Sequence, residues 1–300
     1  MSFLLRLVGW FIYLMPRSLR ISLGNRLGYL LRVGHYRDKV VEQNLKYAFP
    51  NESQTRERVF RQAYSHFGNL ILELFLIFGP FSRYLKMHSD LVGGNILKKV
   101  LLPGKGAILL ASHVGNWEVM AGTGAVLGNF DILIVTKRLK PEWLHQAVEG
   151  ARKRAGYLAT YEPKTFKDIL KHLKAGNAVG FVLDQYAGAP VGVRVPVFGV
   201  PVGTMTAVAM LAKRTGAPVV PVVNYRTSDG RTLSQVFPPL DWIEDVNPRR
   251  EIAVNTAHYA KILERLIYTH PAQWLWIHRR FKGDLSPLRL EEWEEGRTRK

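Results

Sequence analysis

Two different rhythms of apolar and polar positions divide this chain. Up to about Tyr47 the sequence reads as helical, broken near Met15-Pro16 and again around Gly34. Ala48-Phe-Pro50-Asn-Glu-Ser53 then punctuates it, and a helix starting after Asn51 or Ser53 becomes strongly apolar from Leu70 to Phe78. From Gly93 the rhythm changes. Short apolar runs at 107–111, 131–136, 178–183, 218–224 and 233–237 predict strands. Between them, 95–102, 116–127, 141–154, 165–175, 204–215 and 254–268 predict helices, with Gly176-Asn177 and Gly216 as stops. Alternation of this kind predicts an α/β fold, a largely parallel mixed sheet flanked by helices.

Composition sharpens this picture in three ways. A hydrophobic fraction of 47% with seven Trp describes a folded chain. The absence of Cys excludes disulfides and thiolate metal sites. A net charge of +18 asks for a polyanionic partner: nucleic acid, an anionic membrane surface or an acidic carrier protein. The basic residues do not form one block and no nucleic-acid motif is present, so nucleic acid is not expected as a partner.

The opening run, Phe3 to Met15, sets a single Arg6 among aliphatic and aromatic residues. It is shorter than the ~20 residues needed to span a bilayer, and it lacks the small-residue cleavage site of a signal peptide. Arg17, Arg20, Arg26, Arg32, Arg37 and Lys39 follow among Leu, Ile and Tyr. Apolar anchors beside basic residues read as a segment lying in an anionic lipid interface, against the alternative of a packed helix with a solvated basic face. The organisation expected is a helical, membrane-associated N-terminal region at 1–50, an α/β domain at 51–285 and a charged tail at 286–300.

The candidate chemistry centres on Ala107-Ile-Leu-Leu-Ala-Ser-His113-Val-Gly-Asn-Trp-Glu118. A buried strand delivers His113 to the rim of the sheet, and a Gly-Asn turn leads into a helix. Glu118 can fold back to accept a hydrogen bond from one imidazole nitrogen, fixing the tautomer and leaving the other nitrogen free to take a proton from a hydroxyl. The plainer reading is a structural histidine, with Glu118 favourable near a helix N-terminus. Ligands of α/β sheets collect beyond the carboxyl ends of strands. Besides Ser112-His113, such ends here carry Thr136-Lys137-Arg138, Asp184-Gln185 and Asn224-Tyr-Arg226. Glu73, inside the apolar run, is either a satisfied core carboxylate or part of a ligand tunnel. There is no Gly-x-Ser-x-Gly elbow, no phosphate loop and no His-Glu-x-x-His. What remains is a histidine base acting on a hydroxyl that attacks an activated acyl group, which requires neither metal nor cofactor.

At this point the sequence resembles a family. His113-Val-Gly-Asn-Trp-Glu118 looks like the His-x-x-x-x-Asp/Glu motif of glycerolipid and lipid A acyltransferases. Its Gly-Asn-Trp-Glu form is similar to the late lipid A acyltransferases of the lauroyl/myristoyl type and to the related phosphatidylinositol mannoside acyltransferases. Val40 to Pro50, Phe67 to Phe75, Val195 to Thr204, Lys213 to Pro221 and Pro271 to Lys282 resemble further segments of that family, in the same order. The resemblance implies transfer of an acyl chain from a thioester on acyl carrier protein or coenzyme A to a hydroxyl of a glycolipid, at the cytoplasmic face of an inner membrane. It makes His113 the general base and Glu118 its orienting partner, with Asp184 as the competing carboxylate. Lys137 and Arg138 would hold an acceptor phosphate or the oxyanion, although Thr136-Lys137 departs from the aromatic residue common there. Asn116, Asp184, Gln185 and Arg226 complete the candidate substrate contacts. Acyl-chain length would be set by the depth of an apolar tunnel, for which Leu70 to Phe78 is the expected lining. A glycerol-phosphate-type acyltransferase and a non-catalytic basic binding protein are the alternatives.

Overall fold

The computed structural model describes residues 2–162 and 165–288. Nearly all of the expected charged tail therefore lies outside the described residues. The chain opens with four helices: α1 (Ser2–Leu14), α2 (Arg17–Val33), α3 (Asp38–Ala48) and α4 (Ser53–Leu74). Pro16 separates the first two, where its missing N–H removes nothing from a helix that is only starting. A 3-10 turn at Phe75–Phe78 closes α4 and leads to α5 (Phe81–His88) and a short strand, β1 (Ser89–Val92). Among the described residues no helix is long and apolar enough to cross a membrane.

The alternating part follows as expected, in the order α6 (Gly94–Leu101), β2 (Ala107–Ala111), α7 (Trp117–Val126), β3 (Ile132–Val135) and α8 (Glu142–Arg154). Then come β4 (Leu158–Thr160), α9 (Thr165–Lys174) and β5 (Ala178–Val182). Next is a hairpin of β6 (Gly192–Val197) and β7 (Val200–Met205). Then follow α10 (Ala207–Thr215), β8 (Val219–Arg226), β9 (Thr232–Val236), α11 (Pro248–Thr269) and a 3-10 turn at Pro271–Gln273 that opens the aromatic segment.

Seven strands form one mixed sheet in the order β1-β9-β8-β2-β5-β3-β4. All neighbours are parallel except β8 and β9, which pair antiparallel through a short turn. The central strand β2 is buried at every position, as both faces of a helix-covered sheet require. On one face Leu109, Ile132 and Val222 pack with residues of α5, α6, α7 and α8. On the other, Ile108, Leu133 and Val179 pack with residues of α4, α9, α10 and α11 and with the Trp274 and Trp276 side chains. Register matters most for the pair β2 and β5, where Ala111 lies opposite Val182. Two residues further along each strand stand His113 and Asp184.

Candidate active site

Beyond β2, the chain turns sharply at Gly115, whose φ is +66°. A Cβ there would lie 2.2 Å from the backbone oxygen of Asn224, so neither the conformation nor the space admits a side chain. Asn116 then caps α7, its side-chain oxygen accepting from the backbone N–H groups of Glu118 and Val119. The C-terminal aromatic segment braces the same turn. Gly115 N–H donates to Gln273 O at 2.9 Å, Leu275 N–H to His113 O at 3.1 Å, and Val114 bridges to Trp274. Asn44 of α3 in turn donates to the backbone oxygens of Trp276 and His278. Three segments far apart in sequence thus hold one histidine.

The carboxylate that meets His113 is Asp184. Its Oδ1 lies 2.6 Å from His113 Nδ1, and its Oδ2 accepts from His113 N–H at 2.7 Å and from Trp274 Nε1 at 2.6 Å. Burial would raise the Asp184 carboxyl. The charge of His113 and the hydrogen bonds from its ring, from Trp274 and from the His113 backbone outweigh this and hold it at about 2. An ionised, acceptor-only partner fixes the proton on Nδ1 and leaves the lone pair on Nε2. Gln185 presents its amide 3.3 Å from that nitrogen.

Glu118 stands elsewhere, and the expected contact with His113 is corrected. Its carboxylate is buried against α8, where Arg152 donates through Nε at 3.0 Å and Nη2 at 2.5 Å, and Tyr157 donates its hydroxyl at 2.7 Å. The first turn of α7 aims residue 118 at the neighbouring helix, away from the end of β5. Arg152 is consequently held well above its ordinary value, the Glu118 charge and hydrogen bonds overriding the effect of burial.

A cavity of about 650 Å³ opens at His113 and runs between the sheet and α7. Lys137, Arg138 and Gln185 stand with His113 and Trp117 among its lining residues. Most of the rest of the wall is apolar, including Leu109, Ile132 and Ile134 from the sheet and Met120 and Ala121 from α7, with Arg152, Glu162, Ser234 and Gln235 among its polar members. Lys137 and Arg138 are exposed, and Arg138 pairs with Glu142 at 2.8 Å. Of the proposed substrate contacts, Asn116, Asp184 and Arg226 are not in the wall, and Asp184 is buried with its carboxylate spent on His113 and Trp274. Asn116 is buried as a helix cap, and Arg226 donates to Glu73 at 2.9 and 2.6 Å. Glu73 is therefore a satisfied core carboxylate. The Leu70 to Phe78 run does not line the cavity either. Leu70, Leu76, Ile77 and Phe78 are consumed in packing, and the tunnel lies under α7 instead.

A model of the family described as bacterial lipid A biosynthesis acyltransferase matches residues 1–283. The chain belongs to that family. It is accordingly an O-acyltransferase, and His113 and Trp117 of its His113-Val-Gly-Asn-Trp-Glu118 motif line the cavity. Among similar proteins is the lipid A biosynthesis lauroyltransferase of Escherichia coli K12, 29% identical over 91% of this chain and 88% of its own length. The lipid A biosynthesis palmitoleoyltransferase of the same organism is 28% identical with the same coverage. A phosphatidylinositol mannoside acyltransferase of Mycobacterium tuberculosis is 30% identical over 74% of this chain and 70% of its own. Three site residues of this family member were not singled out from the sequence. Trp274 orients Asp184, Arg280 fixes the Gln185 loop through the backbone oxygens of Gln185 and Gly203, and Arg152 neutralises Glu118. Trp274 and Arg280 lie in the Pro271–Lys282 segment, so the signal was a motif whose target was invisible.

Proposed function

We propose that the chain moves a fatty acyl group from a carrier thioester to a hydroxyl of a glycolipid, with His113 as general base. The observation that carries this reading is the His113–Asp184 pair, with His113 in the wall of a largely apolar cavity and Asp184 behind it. The acyl chain lies in the cavity with its thioester carbonyl at His113. Nε2 takes the proton of the acceptor hydroxyl as its oxygen attacks that carbonyl. The tetrahedral intermediate collapses, the carbon–sulfur bond breaks, and the thiolate recovers the proton from the imidazolium. Asp184 stabilises the imidazolium in the interval without itself taking the proton. Gln185, beside Nε2, is placed to donate to the developing oxyanion, and Lys137 and Arg138 meet an anionic acceptor headgroup or the phosphates of the donor. The glycolipid acceptor is supported by the names of the lipid A and phosphatidylinositol mannoside relatives.

The test is a panel of acyl-carrier-protein and coenzyme A thioesters against a lipid A precursor and a phosphatidylinositol mannoside, with product masses read directly. An acyl-mass increment that disappears in His113→Ala names donor and acceptor together. No increment under any pairing would overturn the reading.

Access to such an acceptor calls for a membrane surface. One stripe of α1 exposes Phe3, Leu7, Phe11 and Leu14, with Phe3 and Leu14 about 70% exposed, while Ile12 on the opposite side is buried. Leu30 and Val33 of α2 are exposed as well, and Arg6 and Arg26 are exposed cations on the same two helices. An apolar face set among cations suits the headgroup region of an anionic leaflet. The localisation we propose is the cytoplasmic face of the inner membrane. The double variant Leu7→Asp/Phe11→Asp is expected to lose at least about tenfold in partitioning to vesicles containing phosphatidylglycerol, since charged side chains at two apolar anchors forfeit over ~1.4 kcal/mol. Flotation checks this, and equal binding by the variant would sink the membrane assignment.

A further inference from the structure

We infer that Gly180, at the centre of β5, is what lets the cavity accept acyl chains longer than about ten carbons; this rests on the acyl-transfer reading above. Side chains along β5 alternate. Val179 and Phe181 enter the core on the far face of the sheet, while Ala178 and Val182 face the α7 side. Gly180 shares the α7 side, and it lines the cavity. It lies between Leu109 of β2 and Ile134 of β3 in the strand register, and both of those also line the cavity.

Nothing in the fold demands a glycine at this position. Its φ is not among the positive values of the chain. A Cβ built there would meet a single atom within 4 Å, the Ile134 Cγ2 at an ordinary 3.5 Å. A glycine inside a strand paired on both sides weakens that strand, and it recurs where a ligand approaches the backbone closely. Here the missing side chain keeps the cavity open across the middle of the sheet. Beyond it the wall continues to Ile132, Phe130 and Leu97.

The register also gives a depth. His113 lies four residues past Leu109, the partner of Gly180, which is about 13 Å along a strand. An extended hydrocarbon advances ~1.25 Å per carbon, as C–C bonds of ~1.5 Å zigzag. A chain whose carbonyl stands at His113 therefore passes Gly180 near roughly its tenth carbon. A side chain at 180 projects across the path at that depth, so it obstructs longer chains and leaves shorter ones untouched.

The test uses the full chain with Gly180→Ala and Gly180→Val and a donor series from about eight to sixteen carbons, bracketing that depth. For the longer donors, Gly180→Val is expected to lose at least ~tenfold in kcat/KM relative to the shorter ones, as expected where methylenes are turned away by a pocket wall. Gly180→Ala should fall between. Thermal melting of Gly180→Val is expected at or above the wild-type value, because a β-branched residue suits a strand. Binding of free fatty acids of the same lengths to the His113→Ala background reads the cavity without turnover, and it should show the same loss for the longer chains. A wild-type length profile in Gly180→Val, or an equal loss for every length, would overturn the inference while leaving acyl transfer intact. Absence of transfer by the wild type with every donor would remove the acyl-transfer reading, and this inference with it.

Discussion

Asp184→Asn is expected to lower kcat by about 10²–10⁴-fold, the usual contribution of a positioned base, with the fold intact. The reason lies in how the two carboxylate oxygens are used. Oδ2 accepts from two donors, His113 N–H and Trp274 Nε1–H, while Oδ1 faces His113 Nδ1. In the amide, the remaining oxygen is drawn to the site with two donors. The NH2 group then faces Nδ1 and requires it to be an acceptor, which moves the ring proton to Nε2. The histidine keeps its place and loses the lone pair that takes the hydroxyl proton. Donor KM is expected to change little, because the apolar cavity is untouched. Steady-state kinetics by product mass check the rate, and the imidazole nitrogen shifts in NMR check the tautomer. Wild-type kcat in Asp184→Asn, alongside loss of turnover per folded molecule in Glu118→Gln, would return the orienting role to Glu118.

The contrast between these two carboxylates shows what the sequence carries and what it does not. His113 is legible because a short apolar run ending in a histidine and a Gly-Asn turn leaves little choice about where the ring stands. Asp184 is legible as a polar residue at another strand end. Which carboxylate meets the ring depends on the order of strands. β2 and β5 are neighbours in the sheet although 71 residues separate the two side chains, and their register sets residues 113 and 184 side by side. Proximity in sequence favoured Glu118, but Asn116 caps the helix in a way that commits the first turn to α8.

The sequence expectation misplaced the cavity for a related reason. Leu70–Phe78 is the stronger apolar run, and its side chains are used up in close packing. Emptiness comes instead from small residues, Ala121 and Gly124 of α7 over Gly180 of β5, whose significance appears when the helix is laid on the sheet. The β6–β7 hairpin escaped for a local reason. Pro196 and Pro201 sit opposite each other within it, and prolines inside a run argue against a strand.

Glu118→Ala is expected to destabilise the protein by about 3–5 kcal/mol, because it leaves the Arg152 guanidinium buried with no counter-charge. Both side chains are under one-tenth exposed, so solvent offers little compensation. The Tyr157 hydroxyl, fully buried and held well above its ordinary pKa by burial and the nearby Glu118 charge, loses its acceptor in the same step. For a chain of this size that loss corresponds to a fall in Tm of roughly 6–20 °C, at ~2–4 °C per kcal/mol. Glu118→Leu/Arg152→Met removes both charges and refills the volume, and it is expected to recover most of the loss, since a buried ion pair contributes little net stability over an apolar replacement. The double-mutant cycle closed by the single variants Glu118→Leu and Arg152→Met, read by thermal and urea denaturation, isolates the pair. A single variant within about 0.5 kcal/mol of the wild type would show that the pair is not what fastens α8 over α7. Fastening matters because Arg152 also forms part of the cavity wall, so the motif carboxylate supports the cavity by holding its side rather than by touching His113.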